Sequence, residues 1–236
     1  MEQTFSGQVV LIINAADDLG LSYCRHFLAR GARVIVHDRR QSCMTKLLEE
    51  LHMYRAMITH FTLDLAVVGV AEGIVNEAVI GHGKIDVLIA NRASETPVEF
   101  EQCAATQFQA ALQNHLLATI LITLAVLPHM RRRDSGRIIA TASGAGAFGA
   151  MGYTAQSAAG GGVIGFMRSL SLEVASTSVK VNTISPMTVE DHDGYLSSHD
   201  PMIDRDLYHP NKIAPVVAFL AAEGCPLNGR LLSITG

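Results

Sequence analysis

The chain has 236 residues, 49% of them hydrophobic, with 20 glycines and no tryptophan, which is enough to bury one α/β core. Eighteen basic residues against 22 acidic ones give a formal net charge of −4, and this excludes the basic footprint of a nucleic-acid binder. The only basic run, Arg131-Arg132-Arg133, closes a predicted helix, where cations suit the negative end of the dipole. Cys24, Cys43, Cys103 and Cys225 have neither pairing nor metal-ligand spacing, and the ten histidines show no metal pattern either. No signal peptide is read at Met1-Glu2-Gln3-Thr4. The longest apolar stretch, residues 116–127, contains threonines and is shorter than the ~20 residues a bilayer requires. The expectation is a cytoplasmic protein with no membrane or nucleic-acid partner and no metal.

Strand and helix signals alternate along the chain. Val9 to Ile13 is a continuous apolar run, as in a parallel strand covered on both faces. A helix is predicted over residues 19–30, with Gly31 ending it. Strand 33–37, helix 43–53, strand 57–61 and helix 67–80 follow, then strand 86–90. The spacing next predicts a long helix over 104–130, strand 137–141, a second long helix over 154–176 and strand 180–185. Residues 188–211 are polar and read as a functional loop. Helix 212–223 and strand 231–234 complete the chain. This alternation predicts a single Rossmann-type domain over 1–236, a doubly wound parallel sheet of about seven strands with helices on both faces.

Several blocks in order carry a family resemblance. They are Ile85-Asp86-Val87-Leu88-Ile89-Ala90-Asn91, then Val126-Leu127-Pro128-His129-Met130 with Ser135-Gly136-Arg137-Ile138-Ile139. Val163-Ile164-Gly165-Phe166-Met167-Arg168-Ser169-Leu170 and Val181-Asn182-Thr183-Ile184-Ser185-Pro186 complete the set. Over nearly its whole length the chain resembles the short-chain dehydrogenase/reductase family. That resemblance implies a dinucleotide groove after the first strand and a catalytic tetrad built on the later strands and helices.

Both sets of functional positions are degenerate. The family's Thr-Gly-x-x-x-Gly-x-Gly pattern falls on Ile13, Asn14, Asp18 and Gly20, and only Gly20 survives. Asp17 and Asp18 set two carboxylates where the pyrophosphate would lie, a position that suits a helix cap and opposes an anion. Asp38 and Asp64 stand at the family's ribose and adenine positions and are read as vestigial. Ser143 matches the catalytic serine and Asn114 the tetrad asparagine, the latter with a structural role in a bent helix. Thirteen residues after Ser143, where the family has its tyrosine, stands Gln156, and the lysine position is Gly160. Tyr153 cannot substitute, since Ser157 lies four residues beyond it. No lysine occurs between Lys84 and Lys180, and Arg168 is about 18 Å along the helix from position 156 at ~1.5 Å per residue. Glutamine does not ionise near neutral pH, so the general acid/base is absent.

What is kept is the small-residue face Ala158-Ala159-Gly160-Gly161-Gly162 with Gly165, read as a surface against which another helix packs. The resemblance thus implies a non-catalytic subunit that binds no cofactor itself. Its partner would be a catalytically intact homologue, in a heterodimer or heterotetramer, with NAD held by that homologue. The segment from Gly152 through Gln156-Ser157-Ala158-Ala159 and the end Asn228-Gly229-Arg230-Leu231 resemble members acting on hydroxyacyl-CoA substrates. Two alternatives are a ligand-binding sensor on the same scaffold and an oxidoreductase with new chemistry at Asp191, His192 and His199.

Overall fold

The computed structural model describes residues 4–91, 97–187 and 209–235. Asp191, His192, His199 and all but the last three residues of the polar segment 188–211 lie outside these. Seven strands form one parallel sheet in the order β3-β2-β1-β4-β5-β6-β7. They are β1 (Val9–Ile13), β2 (Arg33–His37), β3 (Ile58–Phe61), β4 (Val87–Ala90), β5 (Gly136–Thr141), β6 (Val179–Met187) and β7 (Leu231–Thr235). The order reverses between β1 and β4, so the loops after those two strands diverge and open a crevice at their carboxyl ends.

The helices are α1 (Asp18–Leu28), α2 (Gln41–Glu50), α3 (Val70–His82), α4 (Ala105–Ala111), α5 (Ala118–Arg132), α6 (Gly144–Phe148), α7 (Thr154–Glu173) and α8 (Ala214–Ala221). Alternation along β1 sorts them into two layers. Val10 and Ile12 join the core beneath α1, α2 and α8, while Val9, Leu11 and Ile13 join the core beneath α3, α5 and α7. The three-layer fold expected from the alternation is present.

The long helix predicted over 104–130 is one helical run, but residues Leu112–Leu117 form a π turn between α4 and α5. Such turns add a residue to the helical circuit and often sit at functional sites. The run Ala105–Arg132 is long and apolar enough to cross a membrane, with a mean hydropathy of 1.8 over an 18-residue stretch of it, which the shorter stretch 116–127 did not suggest. Its inward face, Ala118, Ile122, Val126 and Met130, belongs to the core with α3 and α7. The arginines at its end are bonded within the chain, Arg133 to Asp86 at 2.6 Å and Arg131 to the Glu173 carbonyl at 3.0 Å. They are a helix terminus, as the charge pattern implied. All four cysteines are free, and no group of metal-ligating side chains forms among the described residues.

The glycine-rich part of α7 corrects the sequence reading. The element that approaches it closely is α6 of the same chain. A β-carbon on Gly146 would lie 2.7 Å from the Gly160 carbonyl carbon and 2.8 Å from the Gly161 nitrogen. Gly162 receives Leu116 of the π turn, whose Cδ2 would be 2.7 Å from a β-carbon there. Gly165 alone of these glycines has nothing within 4 Å. Gly160 and Gly162 are therefore explained by internal packing, while a β-carbon on Gly161 would make only an ordinary contact at 3.6 Å.

Candidate functional site

Asn14 ends β1 with φ +52°, a left-handed turn that asparagine tolerates better than other non-glycine residues. The family's sharp turn thus persists without its glycine. The Asn14 carboxamide donates to the Asn91 carbonyl at 3.0 Å and to the Asn114 carbonyl at 3.4 Å, linking β1, the end of β4 and the π turn. Gly20 is required by space, because a β-carbon there would lie 2.4 Å from the Ala15 carbonyl oxygen.

Asp17 caps α1. Its Oδ1 accepts from the Gly20 N–H at 2.6 Å, and its two oxygens accept from Asn91 Nδ2 at 2.9 and 3.1 Å. An anion at this helix terminus is favoured by both the exposed N–H groups and the dipole, and here the anion is the chain's own carboxylate. Asp18 does not share this position. It is exposed and lines a surface cavity with Ser22, Arg25 and Asn211, which corrects the reading of two carboxylates in one seat.

Asp38 is 1% exposed at the end of β2. Arg40 holds both of its oxygens, with Nε and a terminal nitrogen each at 3.0 Å and the Arg40 N–H at 2.9 Å. The Ala16 N–H adds a contact at 3.3 Å. Burial raises the Asp38 carboxyl pKa, but the hydrogen bonds and charge of Arg40 outweigh it and hold the group below its ordinary value. Asp64 is exposed and takes the Ala66 N–H at 2.9 Å in a local turn, so it does not join Asp38. Beside them, His37 is buried with Nε2 2.7 Å from the Leu63 carbonyl and Nδ1 without a partner. Burial lowers its pKa, against the opposing charges of Asp38 and Asp64. The Gly20 N–H and the Asp38 carboxylate, which a dinucleotide would use, are bonded within the chain. As arranged, these residues do not fit a pyrophosphate.

On the other side of the crevice, Ser143 caps α6, accepting from the Gly146 N–H at 3.0 Å. Even a β-carbon at Gly160 would lie 3.0 Å from Ser143 Oγ and 3.3 Å from Gly146 Cα. The place of the missing lysine is thus crowded by α6, an element the sequence reading did not contain. Its only sequence signal is Ser143 followed by small residues. Asn114 and Gln156 come together across a cavity of about 300 Å³ that is also lined by Arg39, Val98, Cys103 and Gln107. The buried His115 fixes the π turn to β5, with Nε2 2.7 Å from the Thr141 carbonyl. The structure brings Ser143, Asn114, Gln156 and Gly160 to one end of the sheet, as the sequence positions required. It supplies none of those four with a proton to exchange near neutral pH, because the set contains only a hydroxyl, two carboxamides and a bare backbone.

Known proteins resemble the chain throughout. It is 28% identical to the peroxisomal multifunctional enzyme type 2 of Mus musculus and 30% identical to the peroxisomal hydratase-dehydrogenase-epimerase of Saccharomyces cerevisiae, in each case over 98% of this chain. It spans only 32% and 26% of those two proteins. It is 26% identical to the (2S)-[(R)-hydroxy(phenyl)methyl]succinyl-CoA dehydrogenase subunit BbsD of Thauera aromatica, covering 97% of this chain and 95% of that one. Among solved structures, levodione reductase aligns over 98% of this chain and 97% of its own, with a TM-score of 0.87 at 24% identity. NAD+-bound xylitol dehydrogenase aligns over 99% and 100% with a TM-score of 0.86 at 22%, and both likenesses establish the fold. Residues 8–194 match the short chain dehydrogenase family, so the chain belongs to that family.

Proposed function

We propose that this chain is the non-catalytic subunit of a hetero-oligomeric, NAD-dependent dehydrogenase acting on a hydroxyacyl-CoA or a related secondary alcohol. The observation that carries this is the pair Gln156 and Gly160, with α6 lying across Gly160. Proton transfer by a positioned acid/base contributes roughly 10²–10⁴ in rate, and neither residue supplies it. Intact homologous subunits hold NAD and perform the chemistry, while this chain binds no cofactor.

Two features support the reading. One whole-length relative is by name a subunit of a CoA-ester dehydrogenase, and another is an acetoacetyl-CoA reductase. The outer faces of the two long helical runs also carry exposed apolar residues, on α7 beside the exposed Arg168 and Ser169. Leu117 is 38% exposed, Leu124 59% and Leu172 78%, and Ala158 and Gly165 are exposed on the same face of α7 as Leu172. An obligate interface of ~2,000 Å² or more has the scale of two such helix faces. The occupant this surface suits is a homologous chain presenting the same two helices.

A cytoplasmic location belongs to the same reading, although several relatives are peroxisomal by name, and cell fractionation decides between the two. A second reading, a sensor of small molecules, is favoured only by the cavity between Asn114 and Gln156.

Reconstitution tests the proposal. The chain alone should turn over no hydroxyacyl-CoA with NAD+, and co-expression with an intact homologue should yield an active complex. Gly165→Leu should lower that complex's activity while leaving the isolated chain folded. An isolated chain with NAD-dependent turnover, or a homologue fully active alone and indifferent to this chain, contradicts it.

A further inference from the structure

Two positions in the crevice hold bonded groups where a dinucleotide would contribute its own. At the first, the amino end of the 11-residue α1, the Asp17 carboxylate takes the Gly20 N–H at 2.6 Å. Asn91 anchors that carboxylate through Nδ2 from 74 residues away in sequence, so the cap is tied to β4 and is more than a local turn. At the second, Arg40 reaches back to Asp38 and occupies both oxygens of a carboxylate that is 1% exposed. Asn14, at the end of β1, is 9% exposed, with its carboxamide bridging the Asn91 and Asn114 carbonyls.

We infer that Asp17 and Arg40 are internal ligands of this groove, the carboxylate standing in for the pyrophosphate and the guanidinium for the ribose hydroxyls. This deepens the reading that the chain binds no cofactor of its own, and it rests on that reading. Asp17 carries the negative charge of the missing pyrophosphate, and Arg40 supplies to Asp38 the hydrogen-bond donors that the ribose hydroxyls would supply. An incoming nucleotide must displace both groups, and its phosphates must also approach the negative charge of Asp17. The two obstacles sit on different loops and act on different parts of the nucleotide. Removing either alone should help little, and removing both should convert the groove into a nucleotide site.

Calorimetric titration of the full chain with NAD+ tests this without reference to activity. The variants are Asp17→Asn, Arg40→Ala and the double variant, each checked for folding by thermal melting. Asp17→Asn keeps an acceptor for the Gly20 N–H and for one Asn91 contact, removes the charge, and gives up the second Asn91 contact at 3.1 Å. The wild type should show no saturable binding up to about 1 mM, and the double variant should bind at least about tenfold more tightly than either single variant. A folded double variant that binds NAD+ no better than the wild type overturns the inference and leaves the subunit reading standing. A wild type that saturates below about 100 μM overturns both the inference and the cofactor part of the proposed function. If the double variant does not fold, Asp17→Asn titrated with inorganic pyrophosphate replaces it. A gain over the wild type supports the inference, and no gain overturns it.

Discussion

Around β1 and β2, lost groups have been replaced by side chains that make bonds of their own. Around α6 and α7, the place of the lost lysine is taken by no side chain and the backbone has closed in. At the first place Asn14 adopts the turn of a glycine, Asp17 caps α1, and Arg40 satisfies a buried carboxylate. At the second, Gly160 is bare and Gly146 rests against it. The difference is one of reversibility. A polar seat filled by a side chain can be emptied by substituting that side chain, whereas a seat filled by backbone cannot be reopened without moving a helix.

The largest effect should come from forcing apart the backbone contact. Gly146→Leu places a β-carbon 2.7 Å from the α7 backbone, and it should cost the upper end of the ~1–3 kcal/mol typical of overpacking, read from denaturant midpoints. Gly165→Leu, with nothing within 4 Å, should leave the isolated chain within about 0.5 kcal/mol of the wild type. Equal losses at the two glycines would erase the distinction between internal and outward faces of α7.

A direct attempt at repair should fail for the same reason. Gln156→Tyr with Gly160→Lys should give no NADH production from hydroxyacyl-CoA substrates, since the lysine enters beside Ser143 and α6 and the nucleotide groove remains filled. Measurable turnover would show that the catalytic half is as reversible as the nucleotide half. A smaller effect is expected at the side-chain-filled seat. Asp17→Ala removes a cap and leaves the Asn91 amide without its carboxylate, for a loss of about 1–2 kcal/mol in equilibrium denaturation.

The smallest effect should be in pH dependence. Burial holds the His37 pKa below its ordinary value, so the unfolded chain takes up a proton there before the folded chain does. Its contribution to stability is present above the ordinary histidine pKa of about 6.5 and is lost as pH falls below that value towards the folded pKa. Melting temperature should therefore decline on mild acidification, and the decline should be shallower in His37→Gln. An unchanged slope would show that His37 is not the titrating group.

The sheet was legible in the sequence because parallel strands covered on both faces are continuous apolar runs, as in Val9–Ile13. Ser143, Asn114, Gln156 and Gly160 were legible as a set because their spacing survives although the chemistry at Gln156 and Gly160 does not. The helix α6 was not, since Gly144–Phe148 has poor helix propensity and forms where glycine meets glycine across a tertiary contact. The small-residue face of α7 was visible, but sequence alone does not say which neighbour it meets. Asp17 was read as a cap, and its tie to Asn91 spans 74 residues that no local pattern connects. Arg40 was the missed signal within reach, a cation two residues beyond Asp38 and able to hold it bidentately.

Native mass spectrometry of the chain purified from its own cells, with every co-purifying protein identified, tests the subunit reading most directly. The expected result is a hetero-oligomer containing a family homologue that retains the tyrosine and lysine absent at Gln156 and Gly160. A homo-oligomer alone, together with an intact homologue that is fully active without this chain, would contradict it.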